Sequence, residues 1–137
     1  MPLLPDGTWT VVTSGVLAVA RARLSAAGLP CPKDIVAAGD VRQGKPAPDP
    51  YRIGAQRLRV APVRAVVFED AEAGVSSALA AGIGLTIGVG ERGLRTRAHL
   101  VVADLRDIRY DGTVLDLRKA HILRHLEPAK SPVTTAP

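Results

Sequence analysis

The stretch Val66 to Gly74 reads Val-Val-Phe-Glu-Asp-Ala-Glu-Ala-Gly, an apolar run that stops abruptly at two adjacent carboxylates, Glu69 and Asp70. Extended upstream to Val63, the run reads as a fully buried strand, the kind found in parallel sheets covered on both faces. An Ala-rich helix from Ala71 to Ala81 follows, stopped by Gly82, and Leu85 to Val89 is a further apolar strand. A strand, a helix and a second strand in that order build a crossover with parallel pairing. Charges at the tip of a buried strand are costly unless paired or bound to a metal. In open α/β sheets that tip is also where ligands sit. A hard cation such as magnesium (Mg2+) suits two carboxylates. Capping of the following helix by the same acids is the competing reading, and the pair alone leaves both open.

The same alternation extends in both directions. Thr8 to Val12 is a short β-branched run, followed by Thr13-Ser14-Gly15 and a helix from Val16 to about Ala27 with Leu17, Ala20, Leu24 and Ala27 on one face. Ile35 to Ala38 predicts a second strand. Asp49 before Pro50 predicts a helix start, with Tyr51, Ala55 and Leu58 facing inward to about Arg59. His99 to Val102 predicts another strand. The expected fold class is α/β, a doubly wound parallel sheet. Beyond it, Thr113 to Leu117 reads as a strand and Leu117 to Leu126 as a helix. The expected organisation is one core domain over 1–126 and a disordered tail over 127–137, where Pro, Ser, Thr and Ala show no periodicity.

Length and charge narrow the partners. The chain has 137 residues, 47% of them hydrophobic, enough for one domain with a core of its own. No apolar run reaches the ~20 residues of a membrane span, so no membrane partner is expected. The net charge of +5 favours anionic partners such as phosphate esters. The arginines are dispersed and carry no interleaved aromatics, which argues against nucleic acid. Cys31 is the only cysteine and cannot form an internal disulfide, which fits the cytoplasm.

Two further strings are candidates for chemistry. Gly44-Lys45-Pro46-Ala47-Pro48-Asp49-Pro50 begins like the end of a nucleotide P-loop, but Pro46 stands where Ser or Thr must bind magnesium and start a helix. Its prolines instead stiffen the loop that carries Lys45. A fixed ammonium near a carboxylate pair can hold a phosphoryl group; a surface lysine in a proline-rich turn is the alternative, and this string alone favours it. Thr13 and Ser14 sit at a strand-to-helix switch, where hydroxyls suit phosphate oxygens; N-capping by Ser14 is the alternative. His121 and His125, four apart, read as surface histidines.

Taken in order, Val11-Val12-Thr13-Ser14-Gly15, Asp40-Val41-Arg42-Gln43-Gly44-Lys45-Pro46 and Phe68-Glu69-Asp70-x-x-x-Gly74 resemble the haloacid dehalogenase superfamily of phosphatases, most closely its glycerol-phosphate and sugar-phosphate branch. The resemblance spans roughly Trp9 to Val102. It implies a Rossmann-like core, a small phosphorylated substrate and magnesium. It also implies that Thr13 hydrogen-bonds the phosphoryl group, Lys45 neutralises its charge, and Glu69 with Asp70 help hold the metal.

That family begins with Asp-x-Asp-Gly-Thr, whose first Asp attacks phosphorus and whose second is general acid and base. The string is absent here. Asp6-Gly7-Thr8 and Asp111-Gly112-Thr113 imitate its second half, with Leu4 and Arg109 where the nucleophile would stand, and both read as turns. The resemblance therefore implies the C-terminal portion of a core that lacks its first, central strand and its cap. A truncated gene, a misplaced start codon or one half of a split enzyme, with a separate N-terminal half carrying the motif, would each give such a chain. The alternative expectation is an inactive remnant or interaction module that keeps phosphate and metal binding.

Overall fold

The computed structural model describes residues 4–125. Its elements are α1 (Leu17–Ala26), α2 (Asp49–Arg57), β1 (Val66–Glu69), α3 (Glu72–Ala80), β2 (Leu85–Val89), the single turn α4 (Gly90–Gly93), β3 (Leu100–Val102), β4 (Arg109–Tyr110), β5 (Leu115–Asp116) and β6 (Ile122–His125), with 3-10 turns at Ala38–Asp40 and Pro62–Arg64. The main sheet has the order β1-β2-β3-β6. β1 and β2 pair in parallel from Val66 against Leu85 to Glu69 against Gly88, and β2 and β3 are also parallel. The α/β crossover expected from the Glu69 region is thus present, and the sheet is mostly parallel. α3 ends where the sequence stops it: Gly82 adopts φ +76°, a left-handed conformation that glycine takes without a Cβ penalty.

Two apolar clusters lie among these elements. Tyr51 from α2, Val67 from β1, and Ala78, Ala81 and Ile83 from α3 and its exit form one, with Val12 against them. Ile87, Leu100 and Val102 form the other, beneath Phe68, Leu115 and Ile122. Alternate residues of β1, Val67 and Phe68, point into different clusters, as the period of two requires.

Several expectations are corrected. Thr8 to Val12 and Ile35 to Ala38 form no strands; they meet only at the parallel bridge Val12–Val36, with Thr13 N–H donating to Val36 O and Val36 N–H donating to Val11 O, each at 2.9 Å. The pair is too short to propagate because Ala38 turns at once into a 3-10 turn. The run from Val63 is neither all strand nor fully buried. Residues 62–64 coil, and Val63 and Val66 are 70% and 39% exposed, because β1 ends the sheet and has no strand on its other edge among the described residues. α1 buries no residue: Ala20 and Leu24 are half-buried, while Leu17 and Ala27 face solvent. Asp49 is the first residue of α2 rather than its cap, and Val16, not Ser14, precedes α1.

The expected strand over Thr113 to Leu117 shrinks to β5, which forms a hairpin with β4 around Asp111-Gly112. The expected helix from Leu117 is instead a turn followed by β6, antiparallel to β3. Pairing with the open edge of β3 and burying Ile122 beside Leu100 and Val102 outweighs a weak local helical tendency. His125 is therefore on a strand, and the helical spacing that would bring it over His121 does not form. Leu126 and the expected tail over 127–137 lie outside the described residues. Among the described residues no helix is long and apolar enough to cross a membrane.

Candidate functional site

β1 delivers Glu69 to the end of the sheet, where the chain turns into α3. The Glu69 side chain is 10% exposed, and all of its oxygens are engaged. Oε2 accepts from Lys45 Nζ at 2.6 Å and from the Tyr51 hydroxyl at 2.7 Å. Oε1 accepts the amides of Asp70 at 3.0 Å and Ala71 at 3.3 Å. The carboxylate thus accepts the amides just ahead of α3 and pairs with the Lys45 ammonium. Gly74 makes room for it: a Cβ there would overlap the Glu69 carboxylate, which is why the sequence reads Glu-Asp-x-x-x-Gly.

Lys45 is held from several sides. Its Nζ also donates to Val12 O at 3.2 Å and lies 5.0 Å from the centre of the Tyr51 ring, within cation–π range. The side chain is only 12% exposed. The Pro-rich loop around it is anchored where Ser77 Oγ of α3, fully buried, donates to Ala47 O at 2.5 Å. The loop entering it is fixed by Asp40, which accepts from Ala37 N–H at 2.8 Å and from Arg57 at 2.9 Å.

Charge in this cluster is stabilised as it stands. Burial pushes the Glu69 carboxyl upward, but the hydrogen bonds from Lys45 and Tyr51, the Lys45 charge and the Ala71 amide outweigh it and hold the group below its ordinary 4.5. Burial, and then the Glu69 charge, push the Tyr51 phenol well above its ordinary 10.0. Tyr51 therefore acts as a neutral donor throughout the physiological range.

Thr13 and Ser14 follow Val12 directly. The Thr13 hydroxyl accepts the Gly15 amide at 3.1 Å, so its own proton remains free to donate outward. Both hydroxyls open on a cavity of about 260 Å³ that Lys45, Arg42 and Pro50 also line. The structure thus brings Thr13, Ser14 and Lys45 together and ties Glu69 to them through the ammonium. Asp70 stands apart. Its side chain is 58% exposed, and Oδ2 accepts from Arg92 at 3.3 Å. That exposed pair contributes little and exchanges readily for another cation.

As donors for a hard cation, the two carboxylates fit in part. Asp70 offers open oxygens, whereas each Glu69 oxygen already accepts protein hydrogen bonds. Among the described residues no third Asp, Glu, His or Cys joins them in a metal cluster. Two contributors were not marked by the sequence reading. Tyr51 was placed on the inward face of α2, which is right for its ring but silent on its hydroxyl. Arg92 carries no local signal in the sequence, and only the fold sets it beside Asp70.

Comparison with known proteins bears on this arrangement. A family model described as haloacid dehalogenase-like hydrolase matches residues 6–82. Hexitol phosphatase A of Escherichia coli (strain K12) is 58% identical over 74 residues, covering 54% of this chain and 34% of the relative. Fructose-1-phosphate phosphatase YqaB of the same organism is 46% identical over 74 residues, covering 53% of this chain and 39% of the relative. The structure of CbbY from Rhodobacter sphaeroides in complex with phosphate superposes with a TM-score of 0.54 at 34% identity, covering 64% of this chain and 40% of that one. This chain thus spans little more than a third of the length of the two curated relatives.

Proposed function

This chain belongs to the haloacid dehalogenase-like hydrolases, and on that premise we propose that it forms the phosphate- and metal-holding part of a phosphatase for small sugar or polyol phosphates. The observation that carries the reading is the position of Lys45 Nζ, bonded at once to Glu69 and to the carbonyl of Val12, the residue before Thr13. It joins three separate segments at one end of the sheet. The names of the hexitol and fructose-1-phosphate phosphatases support the substrate class. In this reading Thr13 and Ser14 donate hydroxyl protons to phosphoryl oxygens. Lys45 offsets the charge that builds beside them. Asp70, with Glu69, would hold magnesium, which would supply neutralisation of charge on the phosphate oxygens. The thiol of exposed Cys31 is compatible with work in the cytoplasm.

The sequence contains no Asp-x-Asp-Gly-Thr string, so no residue here matches the family's nucleophile. The purified chain is accordingly expected to release no phosphate above background from fructose 1-phosphate or a hexitol phosphate. Turnover that disappears in Asp70→Asn would overturn that expectation. The open edge of β1 and the exposed Val66 upon it support the view that a strand belongs beside β1. A separate segment carrying the motif should then raise the melting temperature, because it binds only the folded state. Restored phosphate release on adding it distinguishes a half-enzyme from the alternative, an inactive remnant that binds phosphate and metal.

Magnesium binding by the chain alone should be weak, with a Kd of roughly 1 mM or above, since two carboxylates supply only part of an oxygen shell. Titration calorimetry is expected to lose the signal in Asp70→Ala. Tight binding would overturn the incomplete shell, and binding that survives this substitution would remove Asp70 from the metal site.

A further inference from the structure

We propose that Arg42 is the cationic group that captures the phosphoryl group at the cavity of Thr13 and Ser14, and that it selects phosphate monoesters over the free polyols; the inference rests on the phosphatase reading of that cavity. Two cations line the cavity, and they are not equivalent. The Lys45 ammonium is turned inward, paired with Glu69 at 2.6 Å, and its side chain is 12% exposed. Its charge is shared with a carboxylate, so it can offset charge on a phosphoryl oxygen already in place but adds less net attraction for an anion still arriving. Arg42 is exposed, and its guanidinium has no hydrogen-bond or ion-pair partner among the described residues. The uncompensated positive charge at this cavity is therefore that of Arg42.

The backbone that carries Arg42 is braced on both sides, although its side chain is free. Two residues earlier, Asp40 is held by the Ala37 amide and Arg57. One residue later, Gln43 N–H donates to Asp49 Oδ2 at 3.4 Å, and Ala47 N–H closes a turn on Gly44 O at 3.0 Å. The Arg42 side chain thus starts from a braced point of the rim. Among the described residues no carboxylate lines the cavity to repel an anion. Its volume of about 260 Å³ lies below the ~300–1,000 Å³ usual for whole small-molecule sites, so it suits the phosphoryl end and leaves the carbon chain outside. Arginine's planar fork can bridge two phosphate oxygens, a geometry that lysine cannot reproduce.

The test is titration of the purified chain with inorganic phosphate at low ionic strength, followed by calorimetry and phosphorus NMR. Arg42→Gln should bind about tenfold more weakly, the loss expected for a charge-assisted contact. Arg42→Lys should recover part of that loss. Arg64→Gln, which removes an equal charge before the opposite end of β1, should leave binding unchanged. Equal losses in Arg42→Gln and Arg64→Gln would reduce the effect to net charge and overturn the inference. Unchanged binding in Arg42→Gln, with a loss in Thr13→Ala, would overturn it while leaving the phosphate cavity standing. No phosphate binding by the unaltered chain, or binding indifferent to all of these substitutions, would overturn both. Circular dichroism melts of each variant separate a lost contact from a lost fold.

Discussion

Replacing Lys45 with Met is expected to destabilise the protein by about 3 kcal/mol, the scale for breaking a buried ion pair from one side. The substitution keeps most of the volume of the side chain and removes only the charge. Glu69, 10% exposed, is left with Tyr51 and two amides but no cation. Urea unfolding at neutral pH measures the effect, and Lys45→Met/Glu69→Gln should recover much of it because the orphaned charge is then gone. A neutral outcome for Lys45→Met alone would show that the pair does not form in solution. The pH dependence has a definite sign. The folded Glu69 carboxyl lies below its ordinary 4.5, so its contribution is fully present above that value and is lost as pH falls through the lower, folded value. In Lys45→Met the acid side of the stability profile should therefore flatten.

Gly74→Ala is expected to cost a similar amount, about 3 kcal/mol, by overpacking. In an ordinary helix interior the same change would gain up to about 1 kcal/mol in propensity. Here the new Cβ would overlap the Glu69 carboxylate, and the atom that must yield belongs to a side chain fixed by four hydrogen bonds. Either Glu69 leaves its partners or α3 shifts away from β1. A double-mutant cycle separates these responses. In a Glu69→Ala background the overlapping atoms are absent, so Gly74→Ala should become nearly neutral. If its cost persists there, crowding comes from the backbone and the proposed reason for this glycine is wrong.

Local signals were enough for much of this protein. Continuous apolar character marked Leu85–Val89 as a strand, and Gly82, free to take positive φ, marked the end of α3. Asp6-Gly7-Thr8 and Asp111-Gly112-Thr113 are turns, as their short polar residues require: Thr8 N–H reaches back to Pro5 O, and Asp111 Oδ1 accepts the amides of Thr113 and Val114. The order of Thr13, Lys45 and Glu69-Asp70 along the chain was sufficient to identify the family, because it is a property of the sequence itself.

What required the tertiary structure are the outcomes set by groups far apart in the chain. Thr8–Val12 has strand propensity, yet a strand needs a partner along its length, and only Val36 meets it. Ile122 to His125 could serve a helix or a strand, and the open edge of β3, some twenty residues away, decides for the strand. The same holds at the site. The sequence marks Glu69 and Asp70 as equivalent neighbours, but Glu69 is the last residue of β1 and turns inward onto Lys45 and Tyr51, whereas Asp70 lies in the bend after the strand, in solvent beside Arg92. Residue type and spacing determine which chemistry this chain carries. Which charges are buried and paired, and which remain free to meet a ligand, depends on long-range packing, because desolvation and ion pairing act through space rather than along the chain.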